Sequence, residues 1–89
     1  MVAQPKEKHQ LKEKAKKESV LVLYNDDVNT FDHVIDCLIA ICDHSPEQAE
    51  QCAYLVHYKG QCTVKKGSFE ALKPMKTALL EQHLSVVIK

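Results

Sequence analysis

The pattern of apolar and polar positions divides the chain at Ser19. Met1 to Glu18 holds six Lys and three Glu with few apolar residues. Such a stretch cannot bury enough surface to offset its ordering entropy, so residues 1–18 read as a mobile tail, with a solvated helix held by Glu–Lys pairs as the alternative. From there Val20-Leu21-Val22-Leu23-Tyr24 is an apolar, partly β-branched run ended by Asn25-Asp26-Asp27, the mark of a buried strand and a polar turn. Phe31, Val34, Ile35, Leu38, Ile39 and Cys42 recur at helical spacing. They predict a helix over about 30–43, with Asn29 as its N-cap and Asp32 in its first turn.

Ser45-Pro46-Glu47-Gln48 is the clearest helix start, a capping Ser followed by Pro at the first helical position and Gln three residues on. Ala49, Cys52, Ala53 and Val56 continue its apolar face to about Tyr58, where Gly60 supplies the exit. Cys62-Thr63-Val64 reads as a short strand and Lys65-Lys66-Gly67 as a turn. Ser68 then caps a third helix carrying Phe69, Leu72, Met75, Leu79 and Leu80. Pro74 interrupts this pattern, so the helix either kinks near residue 73 or starts at Pro74 after a short turn. Leu84 to Ile88 closes the chain as a strand. The order β-α-α-β-α-β predicts an α+β sandwich, three helices on a small antiparallel three-stranded sheet formed by residues 19–89.

Composition narrows the function. About seventy residues give a small core and suit a shallow surface site better than a deep catalytic one. All twelve basic residues are Lys, and aromatics are few. Without Arg the bidentate contacts of sequence-reading nucleic-acid binders are missing, so no nucleic acid is expected as a partner. The first residues lack the apolar centre of a signal peptide and no run reaches membrane-spanning length, so a cytoplasmic protein with no membrane association is expected. In that compartment Cys37, Cys42, Cys52 and Cys62 are expected as reduced, buried thiols.

Candidate chemistry is sparse. Asn25-Asp26-Asp27 after a buried strand reads either as an Asx-type turn into the helix or as a cluster of oxygens able to hold a cation such as an α-amino group. His57, near the end of the second helix, is either a partner of the helix dipole or a hydrogen-bonding group for a peptide. His33 and Cys37 are four residues apart on one helix, but no Cys-x-x-Cys or His-Glu-x-x-His accompanies them, and no metal is expected. There is no nucleophile elbow and no phosphate-binding glycine loop, so neither catalysis nor a cofactor is expected.

Taken together, the apolar strand, Asn25-Asp26-Asp27, the apolar helix, the Ala49-containing second helix and Val56-His57-Tyr58-x-Gly60 resemble the ClpS adaptor family. The likeness is good over roughly Val20 to Gly67 and looser beyond. It implies an adaptor, not an enzyme, that binds the free, bulky hydrophobic N-terminal residue of substrate proteins and delivers them to the ClpA unfoldase of the ClpAP protease. By the same resemblance Asn25, Asp26 and His57 hold the α-amino group, while Leu23, Asn29, Phe31, Val34, Ala53, Val56 and Leu84 line the side-chain pocket. The tail and Glu70 are implied to contact the unfoldase. Phe31 and Ala53 stand where the family often has Met, and Asn29 where it usually has Thr, which implies a reshaped pocket and an altered ranking among Leu, Phe, Tyr and Trp. The rival reading keeps the scaffold as an interaction or regulatory module without N-terminal residue recognition.

Overall fold

A computed structural model describes residues 18–89; apart from Glu18, the expected tail lies outside the described residues. The elements run β1 (Ser19–Tyr24), α1 (Phe31–Cys42), α2 (Pro46–Lys59), β2 (Gln61–Gly67), α3 (Phe69–Glu81) and β3 (Ser85–Ile88). The sheet order is β2-β1-β3 with both pairings antiparallel, the expected fold class. The apolar run of β1 thus forms the central strand. Leu21 and Leu23 point to the helices and pack with Leu38, Leu72, Leu79, Leu84 and Val86 in one core. Each such side chain contributes roughly 1.5–3 kcal/mol by burial.

Four local features depart from the sequence expectations. First, the N-cap of α1 is Thr30, not Asn29: Thr30 is extended (φ −78°, ψ 162°) and its Oγ1 accepts the His33 amide at 3.1 Å. Asn29 is committed elsewhere, as described below. Second, Lys65-Lys66-Gly67 is not a turn but the end of β2. Pairing passes from Leu21 with Lys65 to Val22 with Thr63, leaving Val64 as the extra residue of a bulge. The Val64 carbonyl accepts a 2.6 Å hydrogen bond from Nε2 of the buried His44, and Lys65 Nζ donates to the Cys42 carbonyl at 3.1 Å. A cation therefore sits at the C-terminus of α1, whose own last turn has none.

Third, α3 is one helix through Pro74 and does not begin there. The proline leaves the Glu70 carbonyl without its usual amide donor, but residues 70, 73 and 74 are exposed, so water can replace it. Fourth, the last strand begins at Ser85, and Leu84 is buried just before it. The start and stop signals of α2 behave as read. Ser45 Oγ accepts the Gln48 amide at 3.1 Å, Pro46 opens the helix, and Gly60 ends it at φ 88° with its amide on the Val56 carbonyl. Only glycine adopts that backbone without strain.

Candidate functional site

The two polar motifs meet through the backbone. The Asn25 amide donates to the Gly60 carbonyl at 3.0 Å, tying the end of β1 to the exit of α2, with His57 in the last turn of that helix. Between them lies a cavity of about 300 Å³ lined by Asn25, Asp26, Asp27, Asn29, Thr30, Phe31, Val34, Ala53, Val56 and His57. A recess of about 20 Å³ shares Asn25, Asp26, Asn29, Val34 and Val56 with it and is closed by Leu23, Tyr24 and Leu84. The residues singled out on β1, α1, α2 and before β3 therefore converge. Glu70 stands apart, exposed in the first turn of α3 and outside both spaces.

The loop after β1 is organised by Asp26. One carboxylate oxygen accepts the amides of Val28 and Asn29, both at 2.9 Å, and the other accepts Asn29 Nδ2 at 2.8 Å. Asn29 Nδ2 also donates to the His83 carbonyl at 2.8 Å, so the loop is strapped to the residue just before Leu84. His83 holds φ 68°, which turns the chain between α3 and β3. Burial works to raise the Asp26 carboxyl, but the donors from Asn29 and Val28, with nearby His33, outweigh it and hold the pKa below 3.8. Asp26 is thus an anion at neutral pH. A carboxylate has about four lone-pair directions, so these three donors leave one for a ligand.

One side of the cavity is apolar and carries the Phe31 ring. Phe31 packs edge-to-face on His57, centroids 5.8 Å apart, and on Tyr54 at 6.0 Å. Val34, Ala53 and Val56 complete the wall, Ala53 being the smallest of them and only 2% exposed. One lining residue was not among those expected, Thr30 in the cavity; Asp27 belongs to the polar cluster read from the sequence and lines the cavity with Asn25 and Asp26, and Tyr24, beside them, lines the recess. The sequence signal for Thr30 was adjacency, since it lies between Asn29 and Phe31.

The thiols are set up for packing. Burial pushes Cys42 up to about 11 and, with Cys62 beside it, Cys52 up to about 12. Burial and the Asp36 charge also raise Cys37; all four thiols are unbridged, three of them buried as expected and Cys62 on β2 only partly so. Protonated, buried thiols are poor nucleophiles. Nε2 of His33 is 3.0 Å from the Gln82 carbonyl and 3.6 Å from Cys37 Sγ. Among the described residues no group of three or more His, Cys, Asp or Glu side chains comes together to hold a metal, and no helix is long and apolar enough to cross a membrane.

The small α+β scaffold thus carries a cavity that is polar on one side and apolar on the other. The family described as ATP-dependent Clp protease adaptor protein ClpS matches residues 13–86. The ATP-dependent Clp protease adapter protein ClpS of Thermosynechococcus vestitus is 32% identical over 83 residues, spanning 92% of this chain and 88% of that protein. This chain belongs to the ClpS family of Clp protease adaptors. Its fold is also that of Agrobacterium tumefaciens ClpS2, solved bound to L-phenylalaninamide. The TM-score is 0.75 and the identity 20%, over 83% of this chain and 96% of that one.

Proposed function

We propose that this adaptor captures the free N-terminal residue of substrate proteins, bulky and hydrophobic, and delivers them to a ClpA-type unfoldase for degradation. The observation that carries the reading is the convergence of Asn25, Asp26 and His57 at one cavity walled by Phe31, Val34, Ala53 and Val56. An α-amino group has a reference pKa of about 7.7–8.0 and is mostly charged at neutral pH. The remaining acceptor direction of Asp26, the Asn25 side-chain oxygen and a ring nitrogen of His57 supply three acceptors for three N–H donors. The apolar wall takes the side chain, each buried methylene adding about 0.8 kcal/mol. L-Phenylalaninamide, the ligand of the Agrobacterium protein, pairs a free amine with an apolar ring, the chemistry this cavity suits.

On this reading the protein binds and positions, and the unfoldase and peptidase do the chemistry. Glu70, exposed at the start of α3, is available for partner contact. The direct test is titration of labelled peptides beginning with Leu or Phe, each with a free and an acetylated terminus. Strong preference for the free form is expected, and equal binding of both would overturn the reading. Delivery is read from ATP-dependent degradation of a Leu-starting substrate by ClpAP with and without the adaptor. Removal of residues 1–17 is expected to spare peptide binding and impair delivery.

A further inference from the structure

Leu84, which closes the recess, ends the turn between α3 and β3, and that turn is held from two directions. Its amides are tied back to α3: His83 donates to the Leu80 carbonyl at 2.9 Å and Leu84 to the Leu79 carbonyl at 3.1 Å. Its two carbonyls are held by side chains at the start of α1. His33 Nε2 lies 3.0 Å from the Gln82 oxygen, and Asn29 Nδ2 donates to the His83 oxygen at 2.8 Å. A carbonyl oxygen only accepts, so His33 carries a proton on Nε2. Cys37 Sγ, one turn further along α1, lies 3.6 Å from Nε2 and 4.0 Å from Nδ1 of the same ring. His83 holds φ 68°, a backbone that costs a non-glycine residue free energy and persists only where its surroundings fix it.

We propose that His33 is a positioning residue for the side-chain pocket: its bond to the Gln82 carbonyl fixes the turn that carries Leu84, and thereby the depth of the recess. The inference rests on the reading of the cavity as the N-terminal site. Asn29 is bonded to Asp26 as well as to the turn, so its part in the pocket cannot be separated from the polar cluster. His33 can be separated. It lies outside the linings of both spaces, and its ring is bonded to the turn, not to Asn25, Asp26 or His57. Leu84 follows the strapped pair directly and is 3% exposed, sharing the recess with Leu23, Val34 and Val56. A space of about 20 Å³ between packed side chains has no slack, so a small shift of Leu84 changes what fits. Val34, next to His33 on α1, lines both spaces, so adjacent residues supply a wall and the strap that places the floor. Loosening the strap weakens the grip on the first side chain while Asn25, Asp26 and His57 still hold the amine.

The test uses the full chain and anisotropy titration of labelled peptides beginning with free or acetylated Phe. Each affinity is taken per folded molecule, with the folded fraction read from urea denaturation. His33→Leu removes the donor and keeps an apolar body against Cys37; it is expected to weaken the free Phe peptide about three- to tenfold, the worth of one hydrogen bond. His33→Gln supplies a neutral N–H donor of similar reach and is expected to restore binding to within about twofold. That rescue separates the strap from the effect of the imidazole charge on Asp26. Leu84→Ala removes the positioned group and should itself weaken binding, and adding His33→Leu to it should cost nothing further. The proposal is overturned by an equal His33→Leu loss with and without Leu84, by failure of Gln to restore binding, or by no loss in a folded His33→Leu protein. Should His33→Leu not fold, the ring ¹⁵N resonances of the unaltered protein decide: a proton on Nε2 supports the strap, and a proton on Nδ1 alone overturns it. If the unaltered protein binds free and acetylated peptides equally, the N-terminal site itself is refuted and this proposal falls with it. If it prefers the free form and His33→Leu changes nothing, only this proposal fails.

Discussion

Replacing Asp26 with Asn removes one charge at nearly constant shape, and the structure says what else changes. The Asn side-chain oxygen can still accept the amides of Val28 and Asn29, which both reach one Asp26 oxygen at 2.9 Å. The other atom becomes an NH₂ facing Asn29 Nδ2, formerly a 2.8 Å donor to it. Asn29 must turn its amide, which breaks its bond to the His83 carbonyl. One neutral hydrogen bond is worth about 0.5–1.5 kcal/mol, so Asp26→Asn should lose about that much in urea denaturation and remain folded. Binding loses more. A hydrogen bond to a charged group is worth about 1.5–3 kcal/mol, so the free-amine peptide should bind roughly 10- to 150-fold more weakly. The acetylated control should hardly change, so the free-to-acetylated affinity ratio falls by that factor.

The same residue sets an acid limb. Its folded pKa lies below the ordinary value of 3.8, so its contribution to stability is fully present above that value. It is lost as pH falls through the lowered folded pKa, and Asp26→Asn should flatten this part of the stability profile. Peptide binding should separately decline above about pH 8 as the α-amino group loses its proton. An unchanged free-to-acetylated ratio in a folded Asp26→Asn protein would refute the assignment of Asp26 to the ammonium.

Other outcomes follow from the same geometry. Gly60→Ala places a side chain at φ 88° with no atom within 4 Å, so only backbone strain opposes it. A loss of about 1–2 kcal/mol is expected on denaturation, with weaker peptide binding because the Gly60 carbonyl holds the Asn25 amide. Ala53→Met fills part of the 300 Å³ cavity and should lower the Trp-to-Leu affinity ratio about tenfold in competition titrations. Pro74→Ala restores an amide donor to the Glu70 carbonyl inside α3 and should raise stability by about 1–3 kcal/mol in the same urea assay.

Where one residue dictates local geometry, the sequence was readable to within a residue or two: Ser45, Pro46 and Gly60 bound α2, and the apolar period placed α1. Misreadings arose where the decisive partner is distant. Asn29 and Thr30 are both capping residue types, and the choice between them is made by Asp26 and by a carbonyl 54 positions away. Lys65-Lys66-Gly67 has turn composition, but all three residues pair with β1 beside a bulge and Lys65 is drawn to the end of α1. Pro74 argues against a helix interior, yet the packing of Leu72 and Leu79 carries α3 through it. Most candidate site residues could be named because their motifs are local. Thr30 was not named, because cavity lining depends on how α1, α2 and β1 are docked.

The strap from Asn29 to His83 bears on synthesis. A ribosome releases the Asn25-Asp26-Asp27 loop long before residue 83 exists, and domains generally fold as units once their sequence is available. Until α3 and the turn at His83 emerge, the loop lacks the anchor that orients Asn29, and Leu84 is absent from the floor of the recess. A nascent adaptor therefore displays its charged residues without presenting an assembled binding site. Premature termination between residues 57 and 84 yields a chain that contains every polar group of the clamp but lacks Leu84, which closes the recess.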